Sequence, residues 1–236
     1  MKLALALAAI LSSAPVLAQQ LVPVSVHDLF VPSGFDDNDE TLAVLDGYLP
    51  NSCYRLAHSQ ASFDAATRAY RVTQFAWLHP STFCLQIVTP FTTEVRLGVV
   101  PAGSYQVLAE GSVARPLAVK NAMRPGPDEY PYAPVEEARV DYDASRDRYV
   151  AILRGRMMSS CINLSDPLVI NSGRTLEVLP IVALASGNDC KATNRPFEHA
   201  LDLPAGLANG RYLLHVRSLS GKSINVVFTA YTPRAN

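Results

Sequence analysis

Four cysteines, Cys53, Cys84, Cys161 and Cys190, carry the most reactive side chains of this 236-residue chain. A thiolate can attack, ligate a soft metal or join a disulfide. Redox and zinc sites use close spacings such as Cys-x-x-Cys, with histidines nearby. No such spacing occurs here, and the cysteines are not grouped with histidines. Two structural disulfides are the expected chemistry, with three pairings open at this point. The acidic run Asp36-Asp37-Asn38-Asp39-Glu40 is the sharpest polar feature. Carboxylates on a tight turn suit Ca²⁺, which needs several oxygens at once, and Asp36, Asp37 and Asp39 are the candidate ligands. The run lacks the later glycine and distant glutamate of an EF-hand, so the expected role is a solvated hairpin turn between strands 24–31 and 41–45, with no metal.

Catalysis finds little support. The five histidines, His27, His58, His79, His199 and His215, are dispersed. There is no Gly-x-Ser-x-Gly elbow, no His-Glu-x-x-His and no phosphate-cradling Gly-x-x-x-x-Gly-Lys loop. His215 alternates with Leu214 and Val216, which predicts a solvent-facing imidazole. Met157-Met158 offers thioethers for Cu(I), but beside a disulfide-bonded Cys161 it is expected to be apolar filler. The chain is therefore expected not to be an enzyme and to need no cofactor.

The elements that hold these residues read as β-strands. Val95, Leu97 and Val99 alternate with Glu94, Arg96 and Gly98, and Leu201 and Leu203 flank Asp202. Tyr70 and Val72 alternate with Arg71 and Thr73, as do Ile224, Val226 and Phe228 with their polar neighbours. Gly- and Pro-bearing turns such as Pro101-Ala102-Gly103, Asn171-Ser172-Gly173 and Ser186-Gly187-Asn188 punctuate the runs, and no long amphipathic helix is apparent. The fold class is all-β.

Half of the sequence returns in the other half. Ala43, Leu45, Gly47, Ser52, Cys53 and Leu56 recur 108 positions later as Ala151, Leu153, Gly155, Ser160, Cys161 and Leu164. Cys84, Pro90, Phe91 and Leu97 recur 106 positions later as Cys190, Pro196, Phe197 and Leu203, and Gly103 and Tyr105 return as Gly210 and Tyr212. Ordered matches with a drifting offset point to a duplicated domain. If each copy keeps its own bridge, Cys53 pairs with Cys84 and Cys161 with Cys190, each bridge adding about 3 kcal/mol.

Residues 1–18 have the make-up of an export signal: Lys2, an apolar run from Leu3 to Leu11, and Val16-Leu17-Ala18 before Gln19 as the first mature residue. No later stretch is long and apolar enough to span a bilayer. The mature chain is then secreted or periplasmic, with domains over 19–120 and 137–236. Residues 121–136 form a connector rich in proline (Pro125, Pro127, Pro131, Pro134), expected to be stiff and to space the domains apart, with Tyr130 and Tyr132 packed on prolines or on a domain face. The formal net charge of −1, with no basic cluster, argues against nucleic acid and against anionic lipid as partners.

Each copy places a leucine, a glycine-bearing turn, a tyrosine and an alternating apolar strand in order: Leu97 through Gly103 and Tyr105 to Val107, and Leu203 through Gly210 and Tyr212 to Val216. This pattern resembles the tyrosine corner of immunoglobulin and fibronectin type III domains. The resemblance implies two tandem immunoglobulin-like β-sandwiches, with Tyr105 and Tyr212 in structural roles, each phenol bonded to nearby backbone. Antibody domains set a cysteine two residues after that tyrosine; Val107 and Leu214 stand there instead, and Trp77 has no counterpart in the second copy. Residues 30–39 and 47–54 also resemble stretches of exported bacterial proteins, a likeness that implies no activity. The expected function is a non-catalytic binding or structural module for a protein or glycan partner; a secreted protease inhibitor and an enzyme with a dispersed site are the alternatives.

Overall fold

The alternation of apolar residues becomes strands throughout. A computed structural model describes residues 19–79, 83–112, 114–185 and 189–231, and no helix occurs among them. The leader at 1–18 and the Ser186-Gly187-Asn188 turn lie outside the described residues. The strands are, in chain order, β1 (Gln20–Val24), β2 (Val26–Phe30), β3 (Phe35–Asp36), β4 (Glu40–Leu49), β5 (Tyr54–Asp64), β6 (Ala69–Leu78), β7 (Thr89–Val99), β8 (Gly103–Ala109) and β9 (Arg115–Lys120). They continue as β10 (Val135–Asp143), β11 (Arg148–Ser159), β12 (Ile162–Leu164), β13 (Leu168–Ser172), β14 (Thr175–Leu179), β15 (Val182–Leu184), β16 (Ala192–Asp202), β17 (Gly210–Ser218) and β18 (Lys222–Ala230).

Pairing follows the same scheme in both halves. The order β2-β4-β7 has its counterpart in β10-β11-β16. The run β5-β6-β8-β9, with β6 and β8 parallel, has its counterpart in β13-β14-β17-β18, with β14 and β17 parallel. One difference has a local cause. β5 and β6 pair along their length with a bulge between Leu56 and Ser59, whereas the second half splits this hairpin into β13-β14 and β12-β15. Pro167 and Pro180 sit at the two breaks, where each withholds a backbone donor from the ladder.

Each half has its own apolar core. Val44, Tyr70, Val72, Val95, Tyr105, Val107 and Leu117 belong to the first, and Leu153, Met157, Leu176, Val178, Leu201, Leu214 and Val216 to the second. Met157 is buried while Met158 is exposed, so alternation on β11 sends the two thioethers to opposite faces. Val99, expected to face inward, is exposed instead: Gly98 takes a φ of +84° and the β4–β7 register slips between Thr41 and Leu42, which breaks the alternation.

The recurring Gly–Phe pair has a steric reason. A Cβ on Gly47 would lie 2.6 Å from Phe91 Cζ and 2.9 Å from Ser25 O. A Cβ on Gly155 would lie 2.8 Å from Phe197 Cε1 and would overlap Pro134 O. In both halves the ring packs directly on the bare backbone, so glycine and phenylalanine recur together.

The halves are packed together, in place of the spaced bodies the proline content suggested. Every residue from Tyr212 to Ser218 on β17 is buried. Tyr212, Leu214 and Val216 face the second core, while Leu213 belongs to the first. The connector folds back as well. Tyr132 bridges Ile181, Ala133 N donates to Pro180 O at 2.8 Å, and Val182 N donates to Pro131 O at 2.8 Å. Asp128 accepts from the backbone amides of Ser220 and Gly221 at 2.8 and 2.9 Å. Prolines are accommodated because Pro131 enters this ladder through its carbonyl, the group that proline retains.

Candidate functional site

Two places gather chemistry: the polar junction between the halves, and the disulfide-bound loops at the ends of the sheets. At the junction, cross-strand register puts Leu213 opposite Val227, His215 opposite Asn225 and Glu177 beside His215, all on the face of β14-β17-β18 turned to the first half. Glu177 accepts from Ser33 N at 2.7 Å and from Ser33 Oγ at 2.8 Å. Asn225 Nδ2 donates to Glu94 Oε1 at 2.7 Å. Asp46, fully buried, accepts from Thr92 Oγ1 at 2.9 Å and pairs with Arg211.

His215 is buried, which corrects its expected exposure. Alternation rightly turned it away from the second core, but the first half covers that outer face. Its Nδ1 lies 2.8 Å from Asn225 Oδ1, its ring meets Phe35 edge-on at 6.3 Å, and its Nε2 has no hydrogen-bond partner among the described residues. Burial, reinforced by the nearby Arg217 charge, pulls its pKa down to about 4. Such an imidazole is neutral near pH 7 and serves the packing of the junction.

The acidic run is a turn, as expected, but only part of it meets solvent: Glu40 is exposed, and Asp37 and Asn38 are half-buried. Asp39 N donates to Asp36 O at 3.1 Å and Asn38 N to Asp36 Oδ1 at 3.2 Å, the bonds of a compact Asx-type turn. Asp36 and Asp39 are buried. Asp39 Oδ2 lies 3.3 Å from Arg217 Nη1, and the guanidinium also stacks over Phe35 at 4.8 Å. The candidate ligand set changes accordingly. Asp37 Oδ1 accepts from Ala122 N at 2.8 Å, while Asp36 and Asp39 gather with Glu129, their carboxylates within 4.8 Å of one another. Desolvation raises the Asp39 pKa, opposed by Arg217. The guanidinium supplies the positive charge here. Tyr132 Oη donates to Glu129 Oε2 at 3.1 Å, and burial foremost, with Glu129 beside it, raises the phenol's pKa. Asp36, Glu129, Tyr132 and Arg217 edge a cavity of about 240 Å³ that also reaches Tyr130 and Glu177. The matching turn of the second half, at 143–147, is exposed; Ser145 and Arg146 bond Asp143 and hold its carboxyl well below the usual range.

The four cysteines pair as Cys53–Cys84 and Cys161–Cys190. Beside each bridge, a serine grips the chain opposite. Ser52 N donates to Leu85 O at 3.0 Å while Leu85 N donates to Ser52 Oγ at 2.9 Å. Ser160 N donates to Lys191 O at 3.0 Å while Lys191 N donates to Ser160 Oγ at 3.0 Å. The serine precedes the first cysteine of each pair and its partner follows the second. Ser52 and Ser160 were visible as part of the repeat, although their task was not.

Tyr105 and Tyr212 are both buried. Tyr105 Oη donates to Pro101 O at 2.8 Å, and Arg68 lies over its ring at 4.7 Å. Arg174 lies over the Tyr212 ring at 5.8 Å, and Tyr212 stacks on Phe228 at 5.7 Å. Sequence reasoning missed Arg217, Glu177 and Glu129, whose partners lie roughly 90 to 180 residues away and carry no local signal.

No curated protein matches the chain, and no solved structure does. Residues 43–118, from within β4 to within β9, match the ORF11 beta-sandwich domain family, a likeness that agrees with the all-β, sandwich-forming sheets of this region.

Proposed function

We propose that the chain is an exported, non-catalytic binding module built from two duplicated immunoglobulin-like β-sandwiches. The observation that carries this reading is the repeated clamp: a disulfide and a reciprocal serine–backbone pair fix one loop at the end of each half. Rigid loops held on a β-scaffold lose little entropy on binding, which suits recognition. The shared pairing order, the Tyr105 bond to Pro101 and the leader at 1–18 support duplication, the immunoglobulin-like class and export respectively. The partner is a protein or a glycan, met in the periplasm or outside the cell.

The test is to display the oxidised protein against a glycan array and against proteins of its own secreted fraction. Saturable capture that reduction of the disulfides abolishes is the expected result. Turnover of any substrate by the purified chain would overturn the reading. Stoichiometric inhibition of a secreted protease would replace the general module with an inhibitor.

A further inference from the structure

The loop after Cys84 is clamped in the same way as the loop after Cys190, yet its chemistry is opposite. Phe83, Leu85, Ile87 and Val88 stand at positions equivalent to Asp189, Lys191, Thr193 and Asn194. All four apolar side chains are exposed, Phe83 by 74 % and Val88 by 59 %. The second half shows that this scaffold, bridge and serine clamp are satisfied by polar residues, so the fold does not require the apolar ones.

The surroundings of this tip share its character. The sequence holds no Asp, Glu, Lys or Arg over 19–26, 47–54 or 72–93. The described residues of these segments converge at one end of the first half, where Gln20 and Tyr54 both pair with Leu78, Leu49 pairs with Thr89, and Cys53 is bridged to Cys84. His79, the only histidine in these segments, places its Nδ1 3.2 Å from Gln19 Nε2. One residue back from the strand ends stand two exposed aromatics: Trp77 on β6, sharing a face with Leu21 and Arg55, and Tyr48 on β4, opposite Pro90.

We propose that this end of the first half inserts into the interface of a neutral, zwitterionic lipid membrane. Aliphatic and phenyl side chains lead, Trp77 and Tyr48 follow at headgroup depth, and Arg55 beside Trp77 reaches lipid phosphate. A neutral bilayer matches an uncharged surface, whereas protein partners generally meet a polar rim. The clamp serves insertion too. Backbone groups entering an apolar medium must already be bonded, and Ser52 takes both the N–H and the C=O of Leu85, while Ile87 N donates to Leu85 O at 2.8 Å. The loop after Cys84 then meets lipid, and the equally clamped, polar loop after Cys190 is left for the protein or glycan partner proposed above.

The experiment floats the oxidised protein with phosphatidylcholine vesicles. Binding should persist in about 0.5 M NaCl, because apolar insertion holds it and the single Arg55–phosphate contact adds little once salt screens it. Trp77, the only tryptophan, should shift its emission to shorter wavelength and be quenched by lipids brominated near the headgroup. Transplanting the second half's residues, as Phe83→Asp, Leu85→Lys, Ile87→Thr and Val88→Asn together, should weaken binding at least about tenfold with circular dichroism unchanged. Should that variant misfold, the Trp77 quenching in the unaltered protein still decides. The proposal falls if vesicles of neutral lipid leave Trp77 emission unmoved, if binding requires anionic lipid, or if the folded fourfold variant floats as well as the parent. It falls equally if the tip instead forms a dimer that the variant abolishes while vesicles stay unbound.

Discussion

The Arg217 guanidinium lies 3.3 Å from the Asp39 carboxylate, joining residues 178 positions apart across the junction of the two halves. Both side chains are almost wholly withdrawn from water. Removing one partner leaves the other charge buried and uncompensated, which costs more than the pair contributes. Arg217→Met should therefore destabilise the protein by about 3 to 5 kcal/mol. Adding Asp39→Asn should recover part of that loss, and a double-mutant cycle in urea reads the coupling.

His215 sets a pH dependence. Its folded pKa of about 4 lies below the ordinary 6.5, so the unfolded chain binds the proton more readily. Its contribution to stability is fully present above pH 6.5 and is lost as pH falls from 6.5 through 4. The shift corresponds to about 3 kcal/mol. Its neighbours are Arg217 on its own strand, Glu177 on β14 and Asn225 on β18, with Glu94 of the first half bonded to Asn225, and the raised pKa of Asp39 works in the opposite sense near the acid end. His215→Gln should flatten the fall in unfolding free energy between pH 6.5 and 4 relative to the parent. An unchanged slope would show that another group governs it.

The Gly155 site tests the ring-on-backbone packing. Gly155→Ala should destabilise by about 3 kcal/mol, because its Cβ meets Phe197 and the Pro134 carbonyl and neither can withdraw freely. Replacing Phe197 by Leu in the same chain should relieve part of the strain, as chemical denaturation can measure.

Each disulfide closes a loop of similar length, with cysteines 31 and 29 positions apart. Changing Cys161 and Cys190 together to serine should cost about 3 kcal/mol. Peptide mapping without reduction should return Cys53 with Cys84 and Cys161 with Cys190, and no crossed pair.

Much of this architecture was legible from the sequence because its signals are local or repeated. The drifting offsets around Cys53 and Cys161 gave the disulfide pairing, and alternation gave the strands that bury Tyr70, Val72, Leu201 and Leu203. Alternation states which way a side chain turns, not what waits there. His215 and Asp39 were therefore misjudged as solvated, although the first was correctly turned from the second core and the second correctly placed in a turn. Val99 failed for a different reason: one glycine bulge inverts every residue after it. Glu129 was hidden because its partners come from a turn about 90 residues earlier, and proline content in its segment suggested distance where the chain folds back.

The seven consecutive buried residues of β17 make each half the other's shelter. A gene split at the proline-rich segment would yield fragments with raw, sticky flanks, one missing the floor under Leu213 and the other the cover over it. Recombination could not easily shuffle either piece into a new host protein. Neither half is free to travel alone.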